Sequence, residues 1–208
     1  MTESRKEADE GHYLVIADKF DEAIPVLSSA IENWGSDTTG LYMCFWDRGV
    51  AYDNLGRHRE AISDFTDAIS LESSVYLYHA RGTSYRLVGD FHSAFLDFEA
   101  AYKILPSEFY TAKYYSELLS CSPIDLDRNG ARALAIANDI HNGTPETLDL
   151  IACAHAENGD FETAVKLQEQ IQSFWNDEHQ DADAKLGAEL ASDRLRLFRD
   201  NIPIRLRR

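Results

Sequence analysis

Apolar residues recur at helical spacing along most of this chain. Ala61, Phe65, Ala68 and Ile69 follow i, i+4, i+7, i+8, one face of a 3.6-residue period. Gly56, Gly89 and Gly159 interrupt such stretches where one helix would end in a left-handed residue and the next begin. The run WGSDTTG at residues 34–40 has loop composition, and Thr144-Pro145 reads as a helix start, threonine capping and proline in the first turn. The pattern predicts helix pairs over about residues 4–33, 41–71, 74–105, 107–141 and 145–175. A closing helix follows near 181–199, and residues 1–208 form a single domain.

The pairs are copies of one another. Gly49, Tyr52, Gly56, Ala61, Phe65 and Ala68 match Gly82, Tyr85, Gly89, Ala94, Phe98 and Ala101, every offset being 33. Upstream, Gly11, Ala23, Leu27 and Ala30 stand 38 residues before Gly49, Ala61, Phe65 and Ala68. Downstream, Ala152, Gly159, Asp160, Phe161 and Ala164 stand 70 after Gly82, Gly89, Asp90, Phe91 and Ala94. Seventy spans two repeats, so a diverged unit fills about residues 106–142. Gly49 and Gly82 lie inside helices, where glycine costs about 1 kcal/mol against alanine. The expected compensation is close approach of the paired helix, with Phe65 and Phe98 filling the space toward the next pair.

The stretches RGVAYDNLGRHREAISDFTDAI (48–69) and RGTSYRLVGDFHSAFLDFEAAYKILP (81–106) resemble the tetratricopeptide repeat. They carry the small residue, tyrosine, inter-helix glycine, alanine and aromatic in family order. LDLIACAHAENGDFETAVKLQEQI (148–171) is similar, with His155 for the tyrosine and Gln168 for the aromatic. The first repeat departs in having Asp18 for the inter-helix glycine. The resemblance covers about residues 4–175, and the last half is similar to the closing repeats of bacterial members, which end in a long helix. It implies an all-α, right-handed superhelical solenoid of antiparallel helix pairs with about 11 helices. It also implies a concave groove lined by the first helix of each pair. Carried over by position, that groove holds His12, Met43, Trp46, Val50, Asp53, Tyr76, His79, Thr83 and Arg86. Some of these could instead pack between repeats. The family's carboxylate clamp is missing, since Ala8, His12, Asp47, Tyr76 and Ala80 stand at its places.

Charge narrows the partner. The formal net charge is −16, which repels nucleic acid and anionic lipid and favours a basic protein or peptide. Arg194, Arg196, Arg199, Arg205, Arg207 and Arg208 crowd the C-terminus. They read as cations at a helix end and a solvated tail, or alternatively as a docking arm for an acidic surface, a second copy of this chain among the candidates. No signal-type or membrane-length apolar run occurs, so a cytoplasmic location is expected. Cys44, Cys121 and Cys153, odd in number and widely spaced, read as buried thiols.

Catalytic and metal patterns are thin. Cys153 and His155 point to different helix faces. The run from Asp125 to Gly130 copies the first half of a calcium loop, but Ile136 stands where the bidentate glutamate belongs, so a capped turn is expected. No enzyme, cofactor or metal is therefore expected. The expected function is a scaffold that binds a partner's peptide or helix in the groove. The alternatives are self-assembly through the basic tail and, further off, a small-molecule site or enzyme.

Overall fold

Left-handed residues end the first helix of four pairs. Gly56, Gly89 and Gly159 have φ of 73°, 78° and 81°, and Asp18 occupies the same place at 57°. Aspartate tolerates this region because its short polar side chain can satisfy local backbone. The backbone of Lys19, Arg57, Asp90 and Asp160 then donates to the carbonyls of Leu14, Tyr52, Tyr85 and His155, each at 2.9 Å. The first repeat thus makes the same turn without the glycine.

The computed structural model describes residues 2–36, 38–178 and 182–207. Asp181, the expected start of the closing helix, and Arg208 of the basic tail lie outside them. Among the described residues there are eleven α-helices and no strand. They are α1 (Glu3–Ile16), α2 (Phe20–Glu32), α3 (Leu41–Asn54), α4 (His58–Leu71), α5 (Val75–Leu87), α6 (Phe91–Ile104), α7 (Phe109–Cys121), α8 (Gly130–Asp139), α9 (Pro145–Glu157), α10 (Phe161–Glu178) and α11 (Ala182–Arg199). The chain divides into two compact units, Met1–Ile104 and Leu105–Arg208.

In the first unit the second helix of each pair supplies the core. Ala23, Leu27 and Ala30, then Ala61, Phe65 and Ala68, then Ala94, Phe98 and Ala101, are all fully or almost fully buried. Small residues bring the helices together, and the larger side chain fills what remains. A Cβ on Gly49 would come 2.7 Å from the Phe65 ring, and one on Gly82 would come 3.2 Å from Phe98. Each aromatic therefore packs first on its own pair's glycine. Phe65 also shares a cluster with Leu77 of the following pair.

A polar bolt accompanies this core in two copies. Arg48 donates to both carboxylate oxygens of Asp64 at 2.8 Å and to Ser28 Oγ on the preceding pair at 2.9 Å. Arg81 does the same to Asp97, at 2.8 and 2.7 Å, and to Thr66 Oγ1 at 3.1 Å. Each guanidinium lies against two tyrosine or phenylalanine rings, Phe45 and Tyr52 in one copy, Tyr78 and Tyr85 in the other. Burial pushes the Asp64 and Asp97 carboxyls above the ordinary aspartate value, and the arginine bonds pull them back.

The second unit is built less regularly. Residues 122–129, including a 3-10 turn (Asp125–Asp127), replace the short turn between α7 and α8. Asn129 caps α8 through the Arg132 amide, and Asp125 pairs with Arg128, so the calcium-loop-like run is a capped turn. Thr144 caps α9 with Pro145 in its first turn. Helix α11 covers α10, burying Ala191, Leu195 and Phe198. The tail then folds back onto the unit. Ile204 and Leu206 pack on a cluster holding Cys121, Cys153 and Phe198, and Leu206 donates its backbone amide to the Cys121 carbonyl at 2.8 Å. Arg194 pairs with Asp149, Arg199 with Glu169 and Arg205 with Glu157. With Arg196 pairing with Asp193, four of the tail's arginines are thus engaged within the unit.

All three cysteines are buried free thiols. Burial pushes Cys44 up to about 12, and a hydrogen bond with Cys121 followed by burial raises Cys153. Neither is a thiolate at neutral pH.

Candidate functional site

Within the first unit, α1, α3 and α5 stand side by side. His12 Nδ1 and Asp47 Oδ2 meet at 2.9 Å between α1 and α3, and Ser84 Oγ donates to Asp53 Oδ1 at 2.9 Å between α5 and α3. Their shared face carries two hollows. One, of about 250 Å³, lies between α1, α3 and the loop before α3, and is lined by His12, Asp47, Met43, Arg5 and Trp34 among others. The other, of about 390 Å³, lies between α3 and α5, and is lined by Met43, Trp46 and Tyr76 together with Tyr42 and Leu77. Met43 borders both, so they adjoin.

The nine groove positions separate by what they touch. His12, Met43, Trp46 and Tyr76 surround the hollows. Met43 is 45% and Tyr76 64% exposed, which leaves both open to a partner. Trp46 is half-buried, its ring centroid 5.6 Å from Phe65, so it serves core and surface together. His79 is half-buried in the same way, 5.6 Å from Phe98. Val50, Thr83 and Arg86 are half-buried further along α3 and α5. Asp53 is taken up structurally, pairing with His58 Nδ1 at 2.7 Å and accepting from Ser84.

Charge on this face is mixed. Asp47 is almost fully buried, and burial raises its carboxyl above the usual range while His12 pulls it down. Among the described residues no group of histidine, cysteine, aspartate and glutamate has metal-holding geometry. No described helix is long and apolar enough to cross a membrane.

Sequence reasoning missed the Arg48–Asp64 and Arg81–Asp97 bolts. Their signal was present: Arg48 and Arg81, like Asp64 and Asp97, are 33 apart, and Ser28 and Thr66 are 38 apart. It also missed the contribution of Trp34, Thr39 and Gly40, because the loop from 34 to 40 has no counterpart in the other repeats.

Paired helices, left-handed turns, small-residue interfaces and a first-helix face define a tetratricopeptide-repeat fold. The tetratricopeptide-repeat family pattern itself matches residues 44–74, which take in most of α3 and all of α4. The chain is similar to a tetratricopeptide repeat protein of Parabacteroides merdae at TM-score 0.72 and 13% identity, over 95% of this chain and 77% of that one. It is similar to YrrB, described as a TPR protein with an unusual peptide-binding site, at TM-score 0.73 and 14% identity over 90% of each chain. A thermophilic TPR protein of Thermus thermophilus is similar at TM-score 0.53 and 14% identity, over 91% and 98% of the two chains. No curated protein matches the sequence.

Proposed function

We propose that this protein is a protein-interaction scaffold whose first unit holds an extended segment or helix of a partner against α1, α3 and α5. The observation that carries this reading is the exposed apolar pair Met43 and Tyr76 bordering adjoining hollows of about 250 and 390 Å³. Such aromatic and thioether side chains anchor partner side chains by burial on binding. The fold is one whose members bind proteins or peptides, and YrrB carries a peptide-binding site. The carboxylate clamp is missing here, so the partner is held through side chains along its length, not through its chain terminus. A net charge of −16 favours a basic segment. The tail arginines engaged within the second unit argue against the self-assembly reading.

The test is capture of partners by wild type and by a Met43→Glu, Tyr76→Glu variant. Both positions are exposed, so helicity should be unchanged. Partners retained by wild type should be lost from the variant; equal recovery by both overturns the reading.

A further inference from the structure

The fifth pair repeats the geometry of the second and third with different chemistry. Trp46 meets Phe65 and His79 meets Phe98 across their pairs, both nineteen residues apart in sequence. At the same places the fifth pair has Asp149 and Gln168, also nineteen apart, joined by a hydrogen bond from Gln168 Nε2 to Asp149 Oδ1 at 3.0 Å. Gln168 is 1% exposed, as deep as Phe65. An amide has replaced a core aromatic.

The amide's orientation is determined. An ionised carboxylate only accepts, so Gln168 must turn its NH2 to Asp149. Its Oε1 is buried and has no hydrogen-bond partner. A buried acceptor left in this state forfeits its hydration with nothing in return. Gln168 lines a cavity of about 300 Å³ bounded by α7, α9, α10 and α11. Three carboxylates, Glu117, Glu146 and Asp149, outnumber two cations, Lys113 and Arg194. Lys113 is paired with Glu146 and Arg194 with Asp149. Trp175 and Leu190 add apolar wall.

We propose that this cavity is a ligand site for a cationic N–H donor, a primary ammonium or guanidinium group, with Gln168 Oε1 accepting one of its hydrogen bonds. An orphan acceptor calls for a donor. The surplus of carboxylates gives that donor a positive charge, and the apolar wall accommodates its alkyl stem. The cavity is at the small end of ligand sites, the size of a short diamine or one arginine side chain. The site lies wholly in the second unit, so it stands independently of the groove proposed above.

Calorimetric titration of the full chain tests it. Cadaverine and agmatine represent free amines; N-acetyl-lysine amide and N-acetyl-arginine amide represent a partner's side chain. Pentane-1,5-diol is the uncharged control. At least one cationic probe should saturate with a Kd on the order of 1 mM or tighter, and the diol should not bind. The arm that binds tells a metabolite amine from a protein side chain. Gln168→Met keeps the length and removes the acceptor; it should weaken binding about tenfold or more. Failure of every cationic probe, or equal binding of the diol, overturns the proposal. So does unchanged affinity in a folded Gln168→Met protein. Should that variant not fold, a crystal of the wild type soaked in cadaverine decides. A nitrogen on Oε1 supports the site, and an ordered water only rejects it.

Discussion

The two units differ in how often each says the same thing. In the first, the central core and bolt contacts exist in two copies at one offset: Gly49 on Phe65 and Gly82 on Phe98, Arg48 on Asp64 and Arg81 on Asp97. In the second, the corresponding work is done once, by residues with no counterpart. Asn129 caps a lengthened connection, the tail lies across Cys121, and Gln168 replaces the aromatic. Duplication makes an interaction recognisable and supplies its own control, because one substitution can be made in both copies.

The sharpest way to break this comparison is at the aromatic position. Phe65→Ala and Phe98→Ala each empty a fully enclosed site and should cost about 3–5 kcal/mol in urea unfolding followed by circular dichroism. Gln168→Ala should cost about 1–2 kcal/mol, since it also removes an unpaired acceptor. Three equal losses would mean that Gln168 is simply a core residue like the others.

The bolts come next. Arg48→Met leaves the Asp64 carboxylate buried without its bidentate partner, as Arg81→Met does for Asp97. Each should cost about 3 kcal/mol. Adding Asp64→Leu to Arg48→Met should recover most of that loss, because the penalty is the stranded charge. A double variant as unstable as the single one would show that the guanidinium's packing on Phe45 and Tyr52 matters more than its charge.

The helix pairs were readable because small and aromatic residues at fixed offsets are an unlikely accident, and their physical meaning is local. The Asp18 turn shows the limit of that logic. The glycine was missing, yet the conformation persisted, because aspartate can also enter the left-handed region. Of the hollows beside α3, only the helix face that carries them was readable. Which residues on it adjoin a hollow depends on Trp34 and the loop before α3, whose placement no repeat dictates. That Asp53 is used up by His58 and Ser84 was equally hidden, since its partners come from two different helices. The cavity beside Gln168 left one trace, the polar residue in the aromatic's place, and its significance needed the buried oxygen to be seen.

The glycines should separate more finely. Gly49→Ala gains helix propensity of about 1 kcal/mol but drives a methyl into the Phe65 ring, where overpacking costs about 1–3 kcal/mol, so a net loss of about 1 kcal/mol is expected. At Gly82 the approach is 3.2 Å instead of 2.7 Å, and the two effects should nearly cancel. Thermal melts of the two variants test this order; a larger loss at Gly82 would mean the third pair is the tighter one.

The smallest effect concerns the charge of the bolts. Burial raises the Asp97 carboxyl despite Arg81, so the folded chain holds this proton more tightly than the unfolded chain does. By linkage, the stability it contributes is complete below about pH 4, the unfolded aspartate value, and is lost as pH rises through the folded value. Measured against Asp97→Asn, the wild type should therefore gain relative stability on going from pH 7 toward pH 4, by less than about 1.4 kcal/mol for each pH unit. Asp64→Asn should give the same sign, since burial raises that carboxyl as well. Neither arginine titrates in this range, which keeps the slope attributable to the carboxyl. A slope of opposite sign in both copies would mean that the guanidinium outweighs burial, making the ionised pair a net source of stability. A different sign in the two would show that the copies, alike in geometry, have diverged in electrostatics.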